Sequence, residues 1–597
     1  MNKRLTPKLA SFLVFLSVSA LAQSLQLVSV ADSSQTAPAG GGGDSWGPTL
    51  SRDGRYVLFS STANNQVLST NNNPIPLNLP AVLNVFLRDR TNSTTTLVSA
   101  DLSGVAGGND DSIGMDVSTN GRYALFDSAA SNLIQGDTNV ATDVFVRDVV
   151  SGSTVLVSVN TNGVAGNGPS AGSAMTPDGR FVAFVSSASD LVPGDTNGIP
   201  DVFVRDLQTG KTVLASVGAG SASTNFPIGS SEAPVITPDG RYVAFYSTAT
   251  NLVAGAPASG DIYVRDLMAG TTTWVSAGAR AATLAALGKT NIVCFNHALS
   301  DDGQALAYEA SPNFSSLGLI LRYNTGTGQT QLVHTNAAVD GISYPDVSSL
   351  QMTPDGRYVA FLANTNDTAG ETTCVVVWDA QSGATTLASG DLTGAVPDFS
   401  ICEWPAISSD GRFVLFLSSA SGLVTNDTPG EFTLYRRDLQ AGTTTLVDVE
   451  TNGASSILSP NSQPSMSDDG RFVAFDFNDD DLLPNDRNHF SDAFVRDVNG
   501  GTTELISVRD PRLPCTTPNG GSSILGTSIS GDGRFVAFLS DADNLIPNDT
   551  NLFTDVFVHD MLAGSNLLVS LNTNGFSGNG GCGGDKPSTS IYTFKLP

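Results

Sequence analysis

The chain has 597 residues, of which 40% are hydrophobic and only 14% are charged, and its formal net charge is −28. This length excludes a single small domain, and the richness in Gly, Ser, Thr and Asn disfavours a mainly helical fold. A surface this acidic repels phosphate groups. Nucleic acids and anionic membranes are therefore disfavoured, whereas cations, basic proteins and neutral glycans are compatible partners.

The first predicted element is a signal peptide at residues 1–22. Three basic residues precede an apolar run from Leu9 to Leu21, which is short for a membrane span. A small-x-small cleavage site ends at Ala22, so Gln23 is the expected mature start. We expect an exported protein, periplasmic or extracellular, with no membrane span. A buried N-terminal helix or strand is the alternative interpretation.

A ten-residue block then recurs nine times between residues 50 and 538. It reads "MTPDGRFVAF" at 175–184, "MTPDGRYVAF" at 352–361 and "ISGDGRFVAF" at 529–538, and successive copies lie 53 to 67 residues apart. A repeat of this period with several strand-like runs predicts a propeller or a solenoid.

Each copy predicts four strands. A short apolar strand enters a Ser/Thr-Pro-Asp-Gly turn, in which Pro presets φ, Asp accepts local hydrogen bonds and Gly adopts a positive φ. "RFVAF" is the second strand, "DVFVRD" the third, and runs such as "TTLVS" the fourth. No segment has a convincing helical period. The nearly continuous apolar runs favour propeller blades over a β-sandwich, whose strands alternate more cleanly.

"TPDGRYVAF" followed by "DVFVRDL" resembles the repeats of TolB-type (WD-like) propellers, which are related to the propellers of prolyl-oligopeptidase-type enzymes. The resemblance covers nearly the whole mature chain and implies an all-β propeller fold. It implies little about function. We expect neither a counterpart of the N-terminal α/β domain of TolB nor a hydrolase domain in this sequence.

We therefore expect residues 23–597 to form a single large β-propeller of about nine four-stranded blades. "LQLVSV" at 25–30 matches a fourth strand and "KPSTSIYTFKLP" at 586–597 the start of a further unit, so the termini can share a closing blade. Two smaller propellers are the alternative. Their junction would fall at the degenerate fifth repeat, "DDGQALAYEA" at 301–310.

Strand connectivity gives such a ring a tight-turn face and a long-loop face, and long loops on a rigid scaffold are the expected binding surface. Trp46 and Trp404 precede inner strands at places that look equivalent, and His297 adjoins an inner strand near the axis. These three are candidate ligand-face residues. Packing beneath the loops is the alternative for the tryptophans.

The cysteines also fall on or near the long-loop face. Cys374 with Cys402 and Cys515 with Cys582 are candidate disulfides between adjacent blades, with burial of free thiols as the alternative.

An Asp-x-Asn-x-x-x-Asp spacing precedes the third strand in four repeats and resembles part of the calcium loop of FG-GAP propellers. The sets are Asp137, Asn139, Asp143; Asp195, Asn197, Asp201; Asp486, Asn488, Asp492; and Asp549, Asn551, Asp555. Calcium needs six to eight oxygen ligands, and each set supplies three side chains at most. Turn formation and strand entry explain the same residues without a metal, and Asp261 heads "DIYVRD" with no such loop before it.

The sequence contains no pair of residues that identifies an acid–base mechanism. The first functional hypothesis is an exported non-catalytic propeller that binds a protein or glycan through its long-loop face. A secreted polysaccharide lyase or glycosidase is the second, and it requires His297 to face carboxylates at the axis. A calcium-dependent surface adhesin is the third.

Overall fold

The computed structural model describes residues 42–68, 74–76, 80–220, 229–257, 259–312, 317–338, 349–365, 372–397, 400–425, 432–456, 460–477, 482–483, 486, 490–508, 520, 522–523, 530, 534–547, 549 and 553–570. The predicted signal peptide, both terminal segments and the pair Cys515 and Cys582 lie outside these residues. The chain divides into two compact units, residues 37–514 and a unit that includes residues 515–597.

The unit of residues 37–514 begins with four groups of four antiparallel strands, named blades 1 to 4 in chain order. Their strands are β1 Ser45–Leu50, β2 Tyr56–Ser61, β3 Asn84–Asp89, β4 Thr94–Leu97; β5 Ser112–Val117, β6 Tyr123–Ser128, β7 Asp143–Asp148, β8 Ser153–Leu156; β9 Ser170–Met175, β10 Phe181–Ser186, β11 Asp201–Asp206, β12 Lys211–Leu214; and β13 Ser231–Ile236, β14 Tyr242–Ser247, β15 Asp261–Asp266, β16 Thr271–Trp274.

Blades 5 to 8 follow after a short helical segment, a 3₁₀ turn at Val275–Gly278 and helix α1 at Ala279–Leu287. Their strands are β17 Ile292–Leu299, β18 Ala305–Pro312, β19 Leu317–Asn324, β20 Gln329–Ala338; β21 Leu350–Met352, β22 Tyr358–Asn364, β23 Thr373–Asp379, β24 Thr385–Leu387; β25 Cys402–Ile407, β26 Phe413–Ser418, β27 Thr433–Asp438, β28 Thr443–Leu446; and β29 Ser465–Met466, β30 Phe472–Phe477, β31 Asp492–Asp497, β32 Thr502–Leu505. One bridge, Ala337 to Ala363, joins the sheets of blades 5 and 6.

The ninth repeat lies in the other compact unit. It forms a four-stranded sheet of β33 Ser522–Ser523, β34 Phe535–Ser540, β35 Asp555–Asp560 and β36 Ser565–Leu568, with its own small apolar cluster around Phe538 and Phe557.

The second and third strands of a blade are apolar because both of their faces are covered. In blade 2, for example, Phe126 and Phe145 are fully buried and stack with ring centroids 5.5 Å apart, and blade 3 repeats the pair with Phe184 and Phe203. Neighbouring blades share the resulting cores, so a blade completes its packing only against the next.

The tight turn shows why its glycine is required. Gly121 adopts φ of +66°, and a Cβ on it would lie 2.4 Å from the ring of Tyr56 in blade 1. A Cβ on Gly54 of blade 1 would lie similarly close to the ring of Phe472 in blade 8. Each of these turns therefore packs on the aromatic residue that follows the Asp-Gly-Arg or Asn-Gly-Arg turn of the preceding blade.

Blade 8 also hydrogen-bonds to blade 1. The Ser45 amide donates to the Ser491 carbonyl at 2.6 Å, and the Leu50 amide donates to the Ser465 hydroxyl at 3.2 Å. Arg90 forms an ion pair with Glu504 at 2.9 Å. Residues 37–514 thus close as a ring of eight blades. The predicted all-β propeller is confirmed, but the count of nine blades is not, and the alternative of two smaller propellers does not describe this unit.

Among the described residues, no helix is long and apolar enough to cross a membrane.

Candidate functional site

The Asp-x-Asn loops lock the third strand of a blade to its fourth. In blade 2 the Asn139 amide donates from Nδ2 to the Asp143 carboxylate and to the Gly166 carbonyl, both at 2.8 Å. The other oxygen of Asp143 accepts from the Ser158 hydroxyl at 2.6 Å. Blade 3 repeats this arrangement with Asn197, Asp201 and Ser216. In this geometry the Asn and Asp side chains of the loop satisfy each other's hydrogen bonding.

Blade 4 holds the strand-entry carboxylate differently. Asp261 accepts from the Ser276 hydroxyl at 2.6 Å, and it is fully buried. Arg280 of helix α1 approaches it with both terminal nitrogens, each at 3.0 Å. Blade 4 lacks the Asp-x-Asn loop, and a guanidinium supplies positive charge next to its aspartate.

In the described part of the chain, no Lys or Arg side chain pairs with the corresponding carboxylates of blades 2 and 3. The pKa of Asp143 and of Asp201 is raised to about 6, mainly by burial and to a smaller extent by the neighbouring carboxylates Asp137 and Asp195. Among the described residues there is no group of three or more His, Cys, Asp or Glu side chains placed to hold a metal. Of the other two sets, Asn488 and Asn551 lie outside the described residues.

The tight-turn end of the eight-bladed ring has a hub of backbone hydrogen bonds. The second residue of the turn donates its amide to the carbonyl of the corresponding residue in the next blade: Thr119 to Pro177, Asp301 to Pro354, Ser409 to Asp468 and Asp468 to Arg52, at 2.7–2.9 Å. The proline members cannot donate. Arg52 and Asp301 belong to blades 1 and 5, which are diametrically opposite, and they form an ion pair at 3.4 Å. This pair therefore lies across the axis.

Buried carboxylates on the second strands of the blades accept hydrogen bonds, two of them from the next blade. Asp127 of blade 2 accepts from the Gly172 amide of blade 3 at 2.8 Å, and burial raises its pKa to about 7. Glu309 of blade 5 accepts from the Ser349 hydroxyl of blade 6. In blade 8 the buried Asp476 accepts from the Ser462 amide at 3.0 Å and from the Ser462 hydroxyl at 2.9 Å, and burial raises its pKa. These carboxylates were not recognisable from the sequence, because "VAFDF" and "YALFDS" read only as second strands.

An axial cavity of about 350 Å³ lies between the inner strands of blades 1, 6, 7 and 8. Its wall includes Pro48, Thr49, Gln351, Gln463, Pro464 and Met466, and no lining residue is ionisable. Gln351 accepts the Ile407 amide of blade 7 at 3.3 Å through its carbonyl oxygen. The inner strands therefore surround this cavity with amides, hydroxyls and apolar groups.

His297 does not have the surroundings that an acid–base site requires. It lies on β17, its Nε2 is buried without a hydrogen-bond partner among the described residues, and burial lowers its pKa to about 4. The backbone of Ala233 and Ala244 in blade 4 partly offsets that shift. No carboxylate contributes to it, so the geometry that the lyase hypothesis needs is not found in the described part of the chain.

The two candidate tryptophans are not equivalent. Trp46 pairs with Ser60 in β2, whereas the residue at that register in blade 7 is Glu403, which pairs with Leu417. Trp404 occupies the bulge position with φ of +51°, where blade 1 has Gly47 at +59°. Its ring packs partly buried against the core between blades 7 and 8. Both blades have the bulge at the same place, and Trp46 lies five residues before Ser51 whereas Trp404 lies four before Ser408, so the tryptophans occupy neighbouring positions of it.

The predicted bridge between Cys374 and Cys402 is not formed, because both thiols are free and buried. Cys374 Sγ lies 3.6 Å from the Ala363 carbonyl of blade 6, and Cys402 Sγ lies 3.3 Å from the Ser418 hydroxyl of blade 7. Burial raises the pKa of Cys374 to about 12 and of Cys402 to about 11. This corrects the prediction for that pair.

Apolar side chains are exposed on the loops of the long-loop face. Val140 is 94% exposed, and Leu102 and Leu392 are each 65% exposed. Val140 adopts φ of +53°, which is strained for a β-branched residue, and blade 3 places Gly198 at the same point of the Gly-Asp-Thr-Asn loop. Sequence analysis missed these residues, although the replacement of glycine by valine within a repeated motif was visible.

No family model matches the chain, and no curated protein matches it either. Several solved structures do match the chain. Dipeptidyl peptidase 4 from Porphyromonas gingivalis is 11% identical with a TM-score of 0.48, and the match covers 84% of this chain and 65% of that one. The β-propeller domain of the Trilobed protease from Pyrococcus furiosus is 11% identical with a TM-score of 0.36, covering 66% and 95%. TolB from Acinetobacter baumannii is 14% identical with a TM-score of 0.24, covering 68% and 80%.

These matches carry no argument about function. At such identities a likeness concerns the fold alone, and the chain spans less than two thirds of the length of the peptidase. The functional argument therefore depends on this chain's own residues. Among the predicted site residues, the structure brings together the members of each Asp-x-Asn loop in blades 2 and 3. It does not bring the two tryptophans together with His297.

Proposed function

We propose that the chain is an exported, non-catalytic β-propeller of TolB-like type that binds a protein or glycan partner through its long-loop face. The observation that carries this proposal is Val140. A β-branched residue in the left-handed region costs about 1–3 kcal/mol. Its 94% exposure means that no packing within the protein offsets that cost.

A rigid ring supports the exposed loop. Asn139 fixes the turn through the Ala141 amide, which donates to its Oδ1 at 3.0 Å, and through the two bonds from its Nδ2. The side chain of Val140 is thereby held outward in one orientation. A preorganised apolar group on a loop loses little entropy on binding, which suits a contact residue.

The test compares two faces of one protein. The mature chain is presented to a printed glycan array and to a phage-displayed peptide library, together with two variants. The first variant carries L102S, V140G and L392S on the long-loop face. The second is a matched control with V150S and M268S, which remove apolar residues that are 77% and 81% exposed at tight turns of the opposite face.

Binding that disappears in the first variant and persists in the second supports the proposal. Binding that persists in the first and disappears in the second would move the partner to the other face. A chain that retains no ligand from either source contradicts the proposal.

A calcium-dependent adhesin is a second candidate, favoured by one observation in blade 4. There the guanidinium of Arg280 stands beside the strand-entry Asp261, whereas the corresponding Asp143 and Asp201 have no cation next to them. If the Asn139 amide turned over, its Oδ1 would stand beside the Asp143 carboxylate, with Asp137 near enough to raise the pKa of Asp143, and backbone carbonyls and water would complete the ligand set. Added Ca²⁺ then raises the melting temperature of the wild type but not of D137A/D195A. A wild type that melts at the same temperature in Ca²⁺ and in EDTA excludes this candidate.

A further inference from the structure

The axial cavity has a wall without ionisable groups in a chain whose formal net charge is −28. Its volume of about 350 Å³ lies within the range of small-molecule sites, about 300–1,000 Å³. Charged ligands would find no counter-ion on this wall. An uncharged ligand loses nothing by that absence, so the cavity favours neutral chemistry.

Part of the wall's hydrogen-bonding capacity is unused by the protein. The side chains of Gln463 and Thr49 line the cavity and make no hydrogen bond to any other described residue. Gln351 commits its Oε1 to the Ile407 amide, which directs its Nε2 donors elsewhere. Amides and hydroxyls of this kind pair with ligand hydroxyl groups, which both donate and accept.

The remaining wall is apolar and rigid. Pro48 and Pro464 lie at corresponding positions of the inner strands of blades 1 and 8, and Met466 lies two residues beyond Pro464. Such surfaces pack against C–H groups. A combination of neutral polar groups with flat apolar ones matches a sugar ring, which has hydroxyls at its edge and C–H bonds on its faces.

One end of the axis is blocked. Arg52 and Asp301 span it between opposite blades, and the hub of turn hydrogen bonds surrounds them. A polymer threading from end to end would have to break this ion pair. A terminal unit entering from the long-loop end would not.

A second cavity, of about 400 Å³, lies between blades 2 and 3. Of its charged lining groups, Asp148 pairs with Arg122 and Arg180 with Asp206, and Asp178 accepts from the Thr176 hydroxyl and the Arg180 amide. It therefore offers a ligand less than the axial cavity does.

We propose that the axial cavity binds one uncharged sugar unit, entering from the long-loop end and held by Gln463, Gln351 and Thr49 against Pro48, Pro464 and Met466. This rests on the proposed function, since it presumes a partner on the long-loop side, and it names a ligand class for the centre of that face.

The experiment is ligand-observed saturation-transfer NMR on the mature chain with glucose, galactose, mannose and N-acetylglucosamine. Glucuronic acid and glucosamine are the charged comparisons. We expect saturation of at least one neutral sugar and none of the charged pair. Gln463→Leu weakens binding about tenfold, the equivalent of about 1.4 kcal/mol for lost hydrogen bonds. Thr49→Val, which keeps the side-chain shape, weakens it severalfold.

The matched control is Gln381→Leu, which removes an exposed amide from a tight turn of blade 6 and leaves sugar binding unchanged. Unfolding curves of all variants establish that the ring is intact. The proposal is overturned if no neutral sugar is saturated, if glucuronic acid binds as well as glucose, or if Gln463→Leu binds like the wild type. Array binding that survives such a result leaves the proposed function standing, whereas sugar binding without any array partner contradicts the proposed function alone.

Discussion

Replacement of Val140 by glycine should stabilise the protein, although it removes an apolar side chain. The left-handed conformation costs an L-residue about 1–2 kcal/mol. Glycine removes that cost and adds about 0.5–1 kcal/mol of unfolded-state entropy. Since Val140 is 94% exposed at φ of +53°, no packing is lost, and the balance favours V140G by up to about 1 kcal/mol.

The repeat supplies its own matched control. Gly198 of blade 3 has φ of +68° in the same Gly-Asp-Thr-Asn loop, so G198V imposes on blade 3 the strain that V140G removes from blade 2. V140A keeps the positive φ without the branched side chain. We expect G198V to destabilise by a similar amount and V140A to stay near the wild type.

Urea unfolding monitored by tryptophan fluorescence measures the effect. With a slope of about 3 kcal/mol per molar, 1 kcal/mol shifts the midpoint by about 0.3 M. V140G should move it up and G198V down. If V140G lowers the midpoint, or if blade 3 accepts valine without loss, the strain argument is refuted, and with it the observation that carries the proposed function.

Three further predictions concern the buried groups. Stability in EDTA should fall as pH rises from about 4 to about 7, because the folded pKa values of four buried carboxylates are raised to about 6 or 7 and these groups lose their protons in that range: Asp116, Asp127, Asp143 and Asp201. The pKa values of Asp148 and Asp206 are held near 2 by Arg122 and Arg180, so these two groups lose their contribution to stability only in acid. Urea midpoints at pH 5 and 7.5 measure the effect, and D127N should flatten the dependence of stability on pH. A midpoint that rises over that interval refutes the assignment. Asp476→Ala should destabilise by about 1–3 kcal/mol, since it leaves the amide and the hydroxyl of Ser462 without their acceptor, whereas Asp476→Asn retains an acceptor and loses less; equal losses in calorimetry would contradict this. The buried thiols should not react with a thiol reagent at neutral pH until denaturant is added, because burial raises the pKa values of Cys294, Cys374 and Cys402. Mass spectrometry detects the labelled cysteines. Labelling of any of the three in the native protein would show that its surroundings open.

The class of fold was predictable because the residues of the repeat have clear conformational and burial requirements. "TPDGR" requires a turn with a positive φ, and "FVAF" next to "VFV" requires burial on both faces. The number of blades in the closed ring was not predictable in the same way. All nine repeats look alike, and closure depends on which sheet meets blade 1, through contacts such as those of Ser465 with Leu50 and Phe472 with Gly54.

The candidate site was less accessible to sequence reasoning. The Asp-x-Asn loops were recognised, and their hydrogen bonds agree with the turn interpretation. Trp46 and Trp404, however, occupy neighbouring positions of the same bulge, and the partner of Asp261 proved to be Arg280, which lies 19 residues further on in a helix that the strand pattern did not predict. The axial amides belong to different blades, so only the ring brings them together.

The closing contact between blades 8 and 1 has a consequence for how the chain acquires its structure. The Ser491 amide donates to Asp44 across 447 residues of sequence. Such a contact forms only after nearly all of the chain has left the ribosome, and the loop entropy it must overcome makes the step slow. Until then the nascent arc presents one bare sheet at each end, and any chaperone that escorts it would meet those two surfaces first.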